Sequence, residues 1–343
     1  MGRNLRALKD LSKDSSSHSH SFTSRQRRRR SSDRNTKRKS VAILLATKQG
    51  ERFLPLQLQS INNQIHTNWT LWVSDDGSTD NSLKLIERFQ EEAGEKRVRV
   101  IVGPGQGHTA NFLSLTCDSR IDADFYSYSD QDDIWEKDKL ARAIDHLQFL
   151  PEKVPAMYCS RIRLIDEKER EIGLFKLWRK PPSFANALTQ NIASGHTIVF
   201  NRAARNLLCE AGPYVDVTSH DWWCYLLLTG CGGSVIYDSY AGVRHRQHED
   251  NCVGAGSSLV AKMKNAVMLL NNRFRLACDR NIKALKKIEH LLAQDNRETL
   301  HRFALMREAS LIGRLIGLRR CRLYRQTFFD NIFLLMGAIL KKI

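Results

Sequence analysis

Val41-Ala42-Ile43-Leu44-Leu45-Ala46-Thr47 is an unbroken apolar run closed by a threonine, and it decides the fold. A run of this length without polar alternation suits a strand buried on both faces of a parallel sheet. After the polar loop Lys48-Gln49-Gly50-Glu51-Arg52, the segment 53–64 sets Phe53, Leu54, Leu58 and Ile61 at helical spacing. Trp69-Thr70-Leu71-Trp72-Val73-Ser74 then reads as a second strand ending in Asp75-Asp76-Gly77-Ser78. Strand, helix, strand makes a βαβ unit.

The alternation continues outward from there. Segment 82–92 is a helix with Leu83, Ile86 and Phe89 on one side, Val98 to Val102 is a strand, and a Gly-rich loop runs to Gly107 before a helix over 111–117. Phe125-Tyr126-Ser127-Tyr128 is a strand that ends in Asp130-Gln131-Asp132-Asp133. Segments 156–165 and 197–200 read as further strands, 188–193 and 222–228 as helices, and the chain from Ser258 onward as basic amphipathic helices without a clear second core. This pattern predicts an open α/β sheet whose ligands lie at the carboxyl ends of its strands, where both acidic clusters fall.

With 343 residues and 42% hydrophobic content, the chain can bury one catalytic domain of roughly 200 to 250 residues plus appendages. The expected organisation is a disordered basic tail over 1–40, a catalytic domain over 41–257 and a helical extension over 258–343. The tail is rich in Ser, His and Arg, and its few large apolar side chains cannot repay ordering entropy. Net charge is +17, but 1–40 holds 13 Lys/Arg against 3 Asp/Glu, 258–343 holds 18 against 6, and the middle holds 23 against 28. Basic ends around an acidic body point to peripheral contact with an anionic membrane surface, or to solvated arms, and away from nucleic acid. Eight cysteines without a Cys-x-x-Cys pair, and no leader-like apolar start, predict reduced thiols and a cytoplasmic location. The run 328–340 falls short of the ~20 residues of a spanning helix and carries Asp330, so an interfacial helix is the expectation.

Asp130, Asp132 and Asp133 repel one another unless a cation or a set of donors neutralises them, which fits a divalent metal held against substrate phosphates. The same residues could instead cap the helix around 138–147. Asp75 to Asp80 alone reads as turn chemistry plus an N-cap, but two carboxylate clusters on one sheet rim favour a cation or nucleotide site. A nicotinamide site would need Gly-x-Gly-x-x-Gly after the first strand, where Thr47-Lys48-Gln49-Gly50-Glu51 stands instead.

Taken as a series, Ala46-Thr47-Lys48-Gln49-Gly50-Glu51, Ser74-Asp75-Asp76-Gly77-Ser78-Thr79-Asp80 and Ser129-Asp130-Gln131-Asp132-Asp133-Ile134-Trp135 resemble the motifs of family 2 glycosyltransferases with the GT-A fold. Downstream, Gly195 to Arg202, His220-Asp221-Trp222-Trp223, and Arg246-Gln247-His248 with Asn251 and Gly254 are similar to the rhamnosyltransferase-like branch. The resemblance spans about 41–256. It implies that Thr47, Glu51 and Asp76 line the nucleotide pocket with Asp75 supporting the turn, that Asp130 faces the ribose, and that Asp132 holds Mg²⁺ or Mn²⁺ on the diphosphate. It implies Asp221 as general base of an inverting transfer, Gly195 as a point of close backbone approach to donor or acceptor, and Arg246 and His248 as diphosphate contacts on a closing loop. The implied partners are a nucleotide-diphosphate sugar, dTDP-rhamnose by the branch, and a glycan or lipid-linked glycan acceptor. His220 and His245 depart from the family pattern, standing where relatives carry another acid and a Tyr. Trp178, Trp222 and Trp223 are candidates to stack on an acceptor sugar. The alternative function is a non-catalytic nucleotide-sugar-binding or scaffold protein.

Overall fold

The computed structural model describes residues 39–247 and 272–343. The basic tail, His248, Asn251, Gly254 and the first part of the C-terminal extension lie outside the described residues.

The strands are β1 Val41–Thr47, β2 Trp69–Asp75, β3 Val98–Val102, β4 Phe125–Ser129, β5 Ile134–Trp135, β6 Ala156–Ile165, β7 Glu171–Leu174, β8 Val199–Asn201 and β9 Ser234–Arg246. They form one mixed sheet in the order β3-β2-β1-β4-β8-β6-β9-β5, with β7 antiparallel to β6. β1 to β4 run parallel, and β8 is antiparallel to both β4 and β6. Chain order leaves β1 in both directions, toward β2 and toward β4, so a crevice opens at the carboxyl ends of these three strands. Thr47, Asp75 and Ser129 are their last residues.

Helices cover both faces: α1 Leu54–Asn62, α2 Ser82–Ala93, α3 His108–Cys117, α4 Lys139–Leu147, α5 Phe184–Ala187, α6 Arg202–Ala211 and α7 His220–Gly230. Alternation along β1 explains why it had to be apolar throughout. Val41, Ile43 and Leu45 enter a core shared with Leu58 of α1, Ile86 of α2 and Leu140 of α4. Ala42, Leu44 and Ala46 enter the opposite core with Phe112 of α3, Leu208 of α6 and Trp223 of α7.

The C-terminal helices α8 Arg273–Lys287, α9 Gln294–Glu308, α10 Leu311–Arg320 and α11 Phe328–Ile339 follow. Ile282 and Leu285 of α8, Leu300 and Phe303 of α9, and Leu334 of α11 belong to that second core. They extend the core under α7, and the described residues form one compact unit. No helix of the described residues is long and apolar enough to cross a membrane.

Some sequence expectations give way. The helix expected over 188–193 is the short α5 at 184–187, started by Ser183 accepting a hydrogen bond from the Asn186 amide, with turn and extended chain after it. Trp222 and Trp223 are buried, and the Trp222 indole donates to the Ala187 carbonyl at 2.7 Å, so neither is placed to stack on a sugar. The thirteen-residue β9 carries no clean alternation, because Asp238 is buried inside it, accepting from Tyr158 and paired with Arg142.

Leu285 is fully buried where α8 meets the second core. Leu285→Ala is expected to cost about 2–5 kcal/mol, and denaturant unfolding should remain a single transition. A separate early transition confined to the C-terminal helices would contradict the shared core.

Candidate active site

Four residues just after β4, Asp130 to Asp133, organise the crevice. Gln131 accepts from the Thr47 hydroxyl at 2.7 Å and the Lys48 amide at 2.9 Å, and its side-chain amide donates to the Lys48 carbonyl. The first loop is thereby tied to the acidic turn. The Asp130 carboxylate lies 3.2 Å from His108 Nε2 and 3.3 Å from His196 Nδ1. The fully buried Asp133 lies 2.8 Å from His245 Nδ1 and 3.4 Å from His196 Nδ1. His196 and His245 stack with centroids 4.6 Å apart. None of these contacts caps α4, so the acidic cluster serves a histidine ladder rather than a helix start.

The electrostatics follow from that ladder. Burial would raise the Asp130 carboxyl, but hydrogen bonds from His108 and His196 hold it well below the ordinary range. Burial alone would lower His245; the Asp133 carboxylate, with Asp130 and Asp132 behind it, outweighs this and His245 is pushed up to about 9. His108 is raised in the same way, burial being outweighed by Asp130, with Asp221 and Asp132 adding to it. The half-buried Asp132 thus acts on imidazoles on both sides of the turn, and its carbonyl accepts from Arg246 Nε at 3.2 Å.

The β2 turn divides its two carboxylates. Asp75 accepts from the Gly77 and Ser78 amides, which is turn chemistry. Asp76, also buried, accepts from the Gly105 amide at 2.7 Å and the Gly107 amide at 3.1 Å, so it fastens the Gly-rich loop that leads into His108. Glu51 is exposed and accepts from both the backbone and side chain of Asn81.

Asp221 arrives from the other side of the crevice, in the first turn of α7. It accepts from the Trp222 amide at 2.7 Å, the Ser219 hydroxyl and the Gly195 amide at 3.2 Å. A Cβ on Gly195 would stand 2.7 Å from His220 Nε2. His220 cannot easily yield, because it stacks on Phe112 at 4.0 Å and is edged by Tyr128 and His108. Its burial lowers it to about 4. A continuous path of contacts therefore runs from Asp76 through Gly107-His108, Asp130 and His196-Gly195 to Asp221. One network of contacts thus links the acidic strand ends to the α7 carboxylate.

Arg246 closes β9 with a buried guanidinium over the Phe53 ring, donating to the carbonyls of Asp132, Asp166 and Glu167. In this conformation it holds the acidic turn from beneath. His248, its expected companion on the diphosphate, lies outside the described residues.

Two donor sets in this cleft could hold a divalent ion. One is the half-buried Asp132, whose hard oxygens and neighbouring anionic charge suit Mg²⁺ or Mn²⁺. The other is Asp133, His196 and His245, whose ligand atoms lie within 4.8 Å of one another. That mixed set suits a softer ion, but an ion there would have to displace the proton that Asp133 stabilises on His245.

Residues 42–210 match the family described as Glycosyl transferase family 2. The dTDP-rhamnosyl transferase RfbG of Shigella flexneri is 31% identical over 260 residues, 74% of this chain and 86% of that protein. The chain belongs to glycosyl transferase family 2. An uncharacterized glycosyltransferase of Haemophilus influenzae is 26% identical over 236 residues, 68% of this chain and 88% of that protein. The mannosyltransferase PcManGT from Pyrobaculum calidifontis, in complex with GDP-Man and Mn²⁺, shares the fold with a TM-score of 0.52 at 15% identity, over 90% of this chain and 86% of that one. The expected GT-A architecture, a mixed sheet flanked by helices with C-terminal helices added, is the one observed.

Sequence reasoning for this glycosyltransferase missed His108, whose only local signal was its place just after the Gly-rich loop and at the first residue of α3. His196 and His245 were visible in the motifs, but not as partners of Asp130 and Asp133.

Gly195→Ala in the glycosyltransferase should cost about 1–3 kcal/mol by overpacking, and His220→Ala in the same chain should relieve part of it. Strictly additive losses in a double-mutant cycle would contradict the Gly195–His220 contact. His245 makes a second prediction. Its folded value of about 9 exceeds the ordinary 6.5, so its contribution is fully present below 6.5 and fades as pH rises through about 9. The stability difference between the native chain and His245→Gln should shrink across that window; a constant difference would refute the pairing.

Proposed function

We propose that this glycosyltransferase is an inverting, metal-dependent enzyme that moves rhamnose from a dTDP donor to a glycan acceptor. The single observation that supports the mechanism is the Gly195–Asp221 contact, which links this carboxylate through His196 to Asp130. The donor assignment is supported by the 31% identity to a dTDP-rhamnosyl transferase over most of both chains.

In this reading Thr47 and Asp76, with the loops they fasten, shape the nucleotide pocket, and Asp130 meets the ribose. The half-exposed His108 stands beside it, its protonated form favoured by Asp130. Asp132 would hold Mg²⁺ or Mn²⁺, which when bound offsets the charge that develops on the departing diphosphate. Asp221 accepts the proton of the acceptor hydroxyl as that oxygen attacks the anomeric carbon opposite the leaving group, which inverts its configuration. Three hydrogen-bond donors, from Ser219, Trp222 and Gly195, fix the direction of its lone pairs before substrate arrives. Arg246 keeps the acidic turn in place.

Asp221→Asn should preserve dTDP affinity and lower turnover by a factor of ~100 or more. Unchanged turnover would remove Asp221 from the reaction. For Asp132→Ala, calorimetric titration with dTDP should give the same weak binding in Mn²⁺ as in chelator, whereas the native chain binds more tightly with the metal; an intact metal effect in the variant would reassign the site.

A further inference from the structure

Among the described residues, twenty-one large apolar side chains are exposed, and ten of them lie on α10 and α11. That is a concentration rather than the usual scatter. On α11 the exposed positions are Phe328, Phe329, Ile332, Leu335, Met336 and Ile339, a single stripe at helical spacing, while Asp330, Leu334, Gly337 and Ala338 face inward. α10 repeats the arrangement with Leu311, Ile312, Leu315 and Ile316 outside and Arg314 inside. The Arg314 guanidinium donates to the carbonyls of Ala338 and Ile339, which lays the start of α10 on the end of α11. The pair is an antiparallel hairpin, and each helix exposes an apolar stripe.

The charges around this hairpin say what covers it. Exposed Arg319, Arg320 and Arg322 stand at the end where Phe328 begins α11, and Lys341 stands at the other, paired with Glu308. The one carboxylate side chain within 311–343 is Asp330, and it is buried. A second copy seated symmetrically on the hairpin would bring like-charged arginines together, whereas an anionic surface would be drawn to them. α11 has twelve residues, about 18 Å of helix, too short to span the ~30 Å hydrocarbon layer but long enough to lie in its interface.

We propose that the α10–α11 hairpin is a monotopic membrane-docking surface that lays its apolar stripes into an anionic phospholipid bilayer, with Phe328 and Phe329 as its deepest anchors. At 75% and 60% exposed, both rings can be changed without disturbing a core. The inference stands independently of the donor and the mechanism.

The test is co-sedimentation of the full chain with vesicles of mixed phosphatidylglycerol and phosphatidylcholine, and with pure phosphatidylcholine vesicles. The native chain should bind the anionic vesicles and prefer them strongly. Phe328→Ser with Phe329→Ser should weaken that binding about tenfold or more with an unchanged unfolding midpoint. Arg319→Glu with Arg320→Glu should abolish the preference for anionic lipid. Binding that the serine variant leaves unchanged, as it would be if the basic segment 1–40 alone carried it, overturns the proposal. So does a native dimer that ignores vesicles and that the serine variant converts to monomer.

Discussion

Three carboxylates within four residues, Asp130, Asp132 and Asp133, cannot share the end of one buried strand without countercharge, and the site is built around supplying it. It comes from His245 near the end of β9 and His108 at the head of α3, whose protonated forms these carboxylates favour, and His196 beside Gly195 contacts both Asp130 and Asp133. Each is distant in sequence from the acidic turn, so pairing with it draws the Gly-rich loop, the Gly195 turn and the last strand to one point. The strand order reverses at β1, with β2 on one side and β4 on the other, and a crevice opens there. The histidine ladder gives the crevice its walls.

The same ladder bears on where a cation could act. Asp133 is spent inside the protein on His245 and His196, and Asp130 on His108 and His196. Asp130 and Asp132 are both half-buried, and Arg246 donates to the Asp132 carbonyl. Burial sets Asp133 apart: the deepest carboxylate fixes the fold of the turn through His245 and His196. On the far wall, the Gly195 amide donates to the Asp221 carboxylate itself. A residue without a side chain lets His220 pack beneath the backbone while its own amide orients the carboxylate.

The sheet was legible where the physics is one-dimensional. β1 has apolar residues on both faces because two cores meet on it, and its run announced this directly. β9 stayed hidden because its buried Asp238 is stable only through Arg142 and Tyr158, far away in sequence. At the site, the carboxylates were legible as clusters, but their partners were not, since nothing local tells a histidine that it faces an aspartate across the sheet. Asp75 shows the opposite case. Its place in the turn was written in the adjacent Gly77 and Ser78, from whose amides it accepts.

Anomalous diffraction at the manganese edge, from crystals of the full chain grown with dTDP and Mn²⁺, tests the assignment of the crevice most directly. The account predicts one peak within bonding distance of an Asp132 carboxylate oxygen and beside the diphosphate. A peak seated instead among Asp133, His196 and His245, or none in the crevice while dTDP is bound there, would contradict it.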